Sequence, residues 1–180
     1  EFINCPEIIY WNLDKPYLND LKQSNINIPP TIFLEKGDQH SLNALFKKTE
    51  WTKAVLKPAI AGAARETFLI KKEEHLNYEK ELQRLIKNEA MLFQEFQHQI
   101  QSKGEMSLMM INGKFTHAVL KKAKPGDFRV QDDFGGTVVD YAPNKEEIAF
   151  AEKAIAACPK ETTYGRVDIF HDNENLLSLG

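Results

Sequence analysis

The residues best suited to chemistry cluster in Lys121–Gly136, KKAKPGDFRVQDDFGG. The stretch opens on Lys121 and Lys122, turns at Pro125-Gly126, and carries Arg129, Gln131 and the pair Gly135-Gly136. An arginine offers a rigid fork of donors to a carboxylate or phosphate, and adjacent glycines let backbone N–H groups approach an anion closely. A solvated basic hairpin loop would have the same local sequence. A second candidate is Lys57, at the end of WTKAVLKP and followed by the small-residue stretch AIAGAARET. A lysine there can grip a phosphate while loop N–H groups cradle its oxygens. At 4 Å and an effective dielectric near 20 the contact is worth about 4 kcal/mol before desolvation. The G-x-x-x-x-G-K-[ST] pattern of a P-loop is absent, and a hairpin with an alanine-rich loop would read alike. Two carboxylates complete the set. Glu105 stands at the entrance of GEMSLMMI, and Asp168 lies within YGRVDIFH. Asp168 suits either a magnesium ligand or an ion pair with Arg166, which alternation puts on the same face.

The elements that must position these groups follow from periodicity and punctuation. MSLMMI and KFTHAVLK are strand-forming runs joined at Asn112-Gly113, a hairpin signal, so Lys121 ends a strand and the arginine loop follows. Lys103-Gly104 turns into the first of these strands, where Glu105, Ser107 and Met109 share a face. WTKAVLKP and TFLIKK read as strands on either side of the alanine-rich loop, and MLFQEFQHQI as an apolar strand carrying Gln94, Glu95 and Phe96. Helices are expected over 41–48, with Leu42, Leu45 and Phe46 as the apolar set, and over 79–92. Asp14 is expected to cap a helix with Pro16 in its first turn, which leaves Lys15 at the helix start, where the local sequence favours a solvated lysine. Asn144 with Glu147 three residues on marks a further helix that ends before Pro159. His98 and His117 lack partners at ligand spacing and are taken as non-catalytic.

Composition sets the outer limits. With 180 residues, 42% apolar and 27% charged, the chain can bury one sizeable core or two small ones. Net charge is −3, so nothing global favours nucleic acid or an anionic membrane, and any anion site must be local. No apolar run approaches the ~20 residues of a membrane span. Cys5 and Cys158 are far apart and without metal-ligand spacing, which reads as free thiols in the reducing cytoplasm.

Taken in order, Lys15, Lys57 with its loop, QEF at 94–96, Glu105, GDFRVQDDFGG and Asp168 form a series that resembles the ATP-grasp superfamily over essentially the whole chain. The arginine loop is most similar to that of bacterial glutathione synthetases and ribosomal-protein glutamate ligases, with their G-[DE]-x-R-x-N-x-x-x-G-G pattern. The resemblance implies an α+β fold of two subdomains with mainly antiparallel sheets gripping ATP between them, residues 1–93 holding the N-terminal part and smaller subdomain and 94–180 the larger. It implies ATP and Mg²⁺ as cofactors and an ATP-dependent carboxylate–amine ligase working through an acyl phosphate. By the same resemblance Lys15, Lys57 and Lys121 would contact ATP, Gln94, Glu95 and Phe96 would meet the adenine edge, and Glu105 would take the ribose. Arg129, with Gln131, would stabilise the transferring phosphoryl group, and Asp168 would hold Mg²⁺. Expected partners are ATP and a small-molecule carboxylate and amine, with self-association compatible.

The chain departs from the pattern at three points. Gln131 stands where asparagine is usual, and the loop after Lys57 has Gly62 as its single glycine. The chain ends in LLSLG, so an E-x-N or E-x-E metal pair and a preceding acceptor-binding domain are expected outside it. A non-catalytic ATP-binding module is the alternative reading.

Overall fold

A computed structural model describes residues 2–62, 64–124 and 135–180. The chain opens with two short helices, α1 (Pro6–Leu13) and α2 (Tyr17–Gln23). The first was not foreseen. Asp14 closes α1 rather than capping α2, and its carbonyl accepts the Tyr17 N–H at 3.0 Å. Then come β1 (Thr31–Leu34), α3 (Leu42–Thr49), β2 (Lys53–Pro58), β3 (Phe68–Lys71), a 3-10 turn (Lys72–Tyr78), α4 (Glu79–Ile86) and β4 (Met91–Glu95). After these follow α5 (Gln99–Lys103), β5 (Glu105–Ile111), β6 (Lys114–Lys122), β7 (Thr137–Tyr141), α6 (Lys145–Ala156), β8 (Tyr164–His171) and β9 (Leu177–Leu179). The elements form two compact units, one of residues 30–96 and one built from 1–29 with 97–180. The break expected after residue 93 falls inside β4.

The inserted unit, 30–96, is a four-stranded antiparallel sheet in the order β1-β4-β2-β3. Strict alternation sends Ala54 and Leu56 of β2, Ile70 of β3, Leu34 of β1, and Met91 and Phe93 of β4 to one face. Against that face pack Leu42, Leu45 and Phe46 of α3 and Leu82, Leu85 and Ile86 of α4. Each such side chain contributes about 1.5–3 kcal/mol by leaving water. Ser41, expected as the first residue of the helix, instead caps α3 by accepting the Ala44 N–H at 3.2 Å. The helix expected over 79–92 stops at Ile86, because Met91 and Phe93 are needed in the sheet. The opposite face carries Thr31, Gln94, Val55 and Lys57.

The other unit holds a five-stranded antiparallel sheet in the order β7-β6-β5-β8-β9. Asn112 and Gly113, both at positive φ, close the β5–β6 hairpin as foreseen. The run QHQI, expected as strand, instead enters α5, which ends at Gly104 with φ +85°. A Cβ at Gly104 would lie 2.4 Å from the Lys121 carbonyl oxygen, so only glycine lets the chain pass so close to β6 there. Asn144 and Glu147 form the full capping box of α6, and the buried Glu147 also accepts the Tyr141 hydroxyl at 3.0 Å.

Candidate functional site

The close turn at Gly104 delivers Glu105 directly opposite Lys121, and one step along β5 the register sets Ser107 opposite Asp168. Four side chains from three strands therefore share one face. The Lys121 ammonium lies 3.1 Å from Glu105 Oε1 and 3.4 Å from Asp168 Oδ1. Ser107, fully buried, donates to Asp168 Oδ1 at 2.5 Å. Arg166, two residues before Asp168 on the same face, donates from Nε at 2.9 and 3.1 Å and from Nη2 at 2.7 Å. The fork geometry is what makes arginine, rather than lysine, suited to this carboxylate.

Burial and charge act differently on the two acids. Burial, together with the negative charge of Asp168, pushes the Glu105 carboxyl up, and Lys121 only partly offsets it. Burial also works to raise Asp168, but hydrogen bonds from Arg166, the charge of Lys121 and the Ser107 hydroxyl hold it below the usual carboxylate range. The Tyr17 phenol of α2 is pushed up to about 12, first by burial and then by the charge on Asp168. Gly180 follows β9 and donates its N–H to the Asp168 carbonyl at 2.9 Å, and a Cβ there would stand 3.1 Å from Glu105 Oε2. This face offers two carboxylates for a hard cation and two cations for phosphate oxygens.

In the inserted unit, Lys57 near the end of β2 donates to Gln94 Oε1 at 3.0 Å, and Gln94 Nε2 donates to Thr31 Oγ1 at 2.8 Å. Thr31, Gln94 and Val55 are cross-strand neighbours, with Lys57 diagonal to Gln94. Beyond β4, the Lys53 ammonium sits 5.9 Å from the centre of the Phe96 ring. Glu95 ends β4, and its N–H donates to the Pro30 carbonyl at 2.9 Å.

The residues singled out in the sequence fall into three groups. Glu105, Lys121 and Asp168 are brought together in one unit, and Lys57 and Gln94 are brought together in the other. Lys15 lies in the turn between α1 and α2, where its carbonyl accepts the Leu18 N–H at 2.9 Å. Arg129 and Gln131 lie outside the described residues. Arg166 was weighed only as a salt-bridge partner, and that pair is formed. Ser107 and Thr31 carried no signal of their own. Among the described residues no three His, Cys, Asp or Glu side chains cluster as a metal site, no helix is long and apolar enough to cross a membrane, and Cys5 and Cys158 are free thiols.

Comparison with solved structures gives the fold. D-cycloserine synthetase DcsG superposes with a TM-score of 0.83 at 22% identity, covering 98% of this chain and 63% of that one. The ATP-grasp ligase PsnB, in complex with a minimal precursor, gives 0.69 at 15% identity over 98% and 53% of the two chains. D-alanine–D-alanine ligase from Bacillus anthracis gives 0.71 at 17% identity over 93% and 55%. The chain thus spans somewhat over half the length of these structures. No curated protein matches its sequence. The α+β architecture with two mainly antiparallel sheets is the ATP-grasp fold, as the motif series implied. A family model for the RimK-like ATP-grasp domain matches residues 17–180, and the chain belongs to that family.

Proposed function

We propose that the chain is the ATP-binding, catalytic part of an ATP-dependent carboxylate–amine ligase. The observation that carries the reading is the charge cluster of Glu105, Lys121, Arg166 and Asp168 on one sheet face, in a chain of ATP-grasp family. Partly buried charges of both signs are costly unless paired, and this paired set also matches the oxygens and cation of a magnesium-bound nucleoside triphosphate. Lys57 would grip its phosphates, with Glu95 and the residues after β4 meeting the base. Lys121 and Arg166 would neutralise charge that develops on the phosphates, and Arg129 would do so at the transferring group. The acids fit Mg²⁺, because carboxylate oxygens are its preferred protein donors and Ser107 and Arg166 keep Asp168 ionised. Asp168 would hold the ion, which when bound screens the phosphate charges and orients them.

In the reaction, a substrate carboxylate oxygen attacks the γ-phosphorus and the bond to ADP breaks. The amine nitrogen then attacks the acyl carbon, loses a proton, and expels inorganic phosphate. The chain's own residues contribute positioning and charge stabilisation rather than covalent chemistry. Its free thiols suit a reducing cytoplasm. The substrates are a small carboxylate and an amine, or a peptide bearing one of them; PsnB, one of the similar structures, was solved with a precursor peptide.

Hydroxylamine trapping tests the reading. With ATP, Mg²⁺ and a panel of amino acids and peptides, hydroxamate and ADP should form in equal amounts for at least one carboxylate. Arg129→Ala should lower that rate by about two orders of magnitude or more. ATP binding without hydroxamate for any carboxylate would instead mark the chain as a nucleotide-binding module.

A further inference from the structure

We propose that Thr31 is a positioning residue for Lys57, acting through the amide of Gln94; the inference rests on reading Lys57 as a triphosphate-gripping lysine. An ammonium only donates, so the amide atom facing Lys57 must be the oxygen. That choice turns Nε2 the other way, where Thr31 Oγ1 accepts from it at 2.8 Å. Gln94 is 9% exposed, and its amide oxygen and nitrogen are each taken by one of these two partners. The orientation of Gln94 is therefore set from the side opposite Lys57.

Loss of the Thr31 hydroxyl leaves Nε2 without this acceptor. A turn of the amide that seeks another partner takes Oε1 away from Lys57 and brings two N–H groups towards a cation. The ammonium then loses its hydrogen bond to Gln94 Oε1. The register makes the relay rigid. Thr31 and Gln94 are directly paired, and the adjacent Glu95 N–H to Pro30 carbonyl bond of 2.9 Å pins β1 to β4 at that point.

Binding of ATP and of adenosine, each titrated by calorimetry, tests this. Thr31→Val keeps the shape and β-branching, and should weaken ATP binding about five- to tenfold, as for a lost hydrogen bond near a charge. Adenosine, which lacks the phosphates that Lys57 would grip, should bind Thr31→Val as it binds the wild type. Thr31→Ser should restore ATP binding. In a Lys57→Ala background Thr31→Val should change nothing further. Gln94→Met, which keeps the length but not the amide, should reproduce the loss and make Thr31→Val silent. Unchanged ATP affinity in Thr31→Val, beside a clear loss in Lys57→Ala, overturns the relay and leaves the function standing. Equal losses for ATP and adenosine also overturn it, because they assign Gln94 to the base. If Lys57→Ala binds ATP as the wild type does, the role of Lys57 falls and the relay falls with it.

Discussion

Replacing Lys121 by methionine probes the charge cluster most directly. The ammonium stands 3.1 Å from Glu105 and 3.4 Å from Asp168, and the three side chains keep 16–21% of their exposure. At an effective dielectric near 20, each pair is worth about 5 kcal/mol before desolvation. Methionine avoids the desolvation cost of the ammonium but leaves two acids facing each other, one of them without a cation. The net loss expected is about 2–3 kcal/mol, below the range for fully enclosed pairs because some water reaches these groups. Its pH dependence is the sharper signature. The Glu105 carboxyl is raised by burial and by Asp168, so its contribution to stability is present below the unfolded-state value and is lost as pH rises through the raised folded value. Asp168 is held low by Arg166 and Lys121 against burial, so its contribution is present above the unfolded-state value and lost only as pH falls through the lowered one. Above the ordinary carboxylate range, then, Glu105 alone of the two gives a slope. Without Lys121 its carboxyl rises further, so the deficit should be largest at pH 8 and shrink towards pH 5 as the group takes up a proton. Guanidinium unfolding followed by Trp11 fluorescence in a Trp51→Phe background reads the correct unit, since the chain has two tryptophans and Trp11 lies in α1. Adding Glu105→Gln should recover part of the loss. A deficit that is equal at pH 5 and pH 8, or a double variant no more stable than the single, would refute the reasoning.

Two further substitutions test the scaffold. Gly104→Ala meets both a positive φ and a Cβ position 2.4 Å from the Lys121 carbonyl oxygen, so it should cost about 2 kcal/mol or more, seen as a lower denaturation midpoint for the same unit. Leu56→Ala opens a cavity in the core of the inserted unit, where Leu56 is wholly buried, and should cost about 2–5 kcal/mol, read from Trp51, which stacks on Phe93 at 5.6 Å.

Much of the scaffold was legible where a residue type has one local job. Asn144 caps its helix with Glu147, Asn112-Gly113 closes its hairpin, and Lys57 falls near the end of a strand, β2, as expected. What failed did so for tertiary reasons. Leu92 continues the helical spacing of Leu82 and Leu85, yet the run from Met91 is taken by the sheet because Phe93 fills its core. QHQI has strand-like composition, but Gly104 ends α5 with its N–H on the Ile100 carbonyl at 2.9 Å. The site was legible as a set of residues and not as a set of contacts. Alternation put Arg166 beside Asp168, but that β5 would lie next to β8, and so bring Ser107 to Asp168, is a matter of strand order. Gln94 could be tied to the base by motif; that its amide is clasped by Lys57 and Thr31 depends on β1 and β2 flanking β4.

The bond from the Glu95 N–H to the Pro30 carbonyl also bears on how the chain reaches its native state. Residues 30–96 make their own contacts, whereas 1–29 have their partners in 97–180, as where Leu179 donates its N–H to the Asn27 carbonyl at 3.0 Å. Closing an unstructured loop over that inserted length would cost about 3–4 kcal/mol of chain entropy. Once the inserted sheet has formed, its two ends are already side by side, and most of that loss has been met. Synthesis from the N-terminus completes residues 30–96 before any of 97–180 exists, so α1 and α2 wait while the sheet between them and their partners forms. The neck of the insertion is thus a folding clock, with the later unit assembling across a gap that the earlier one has closed.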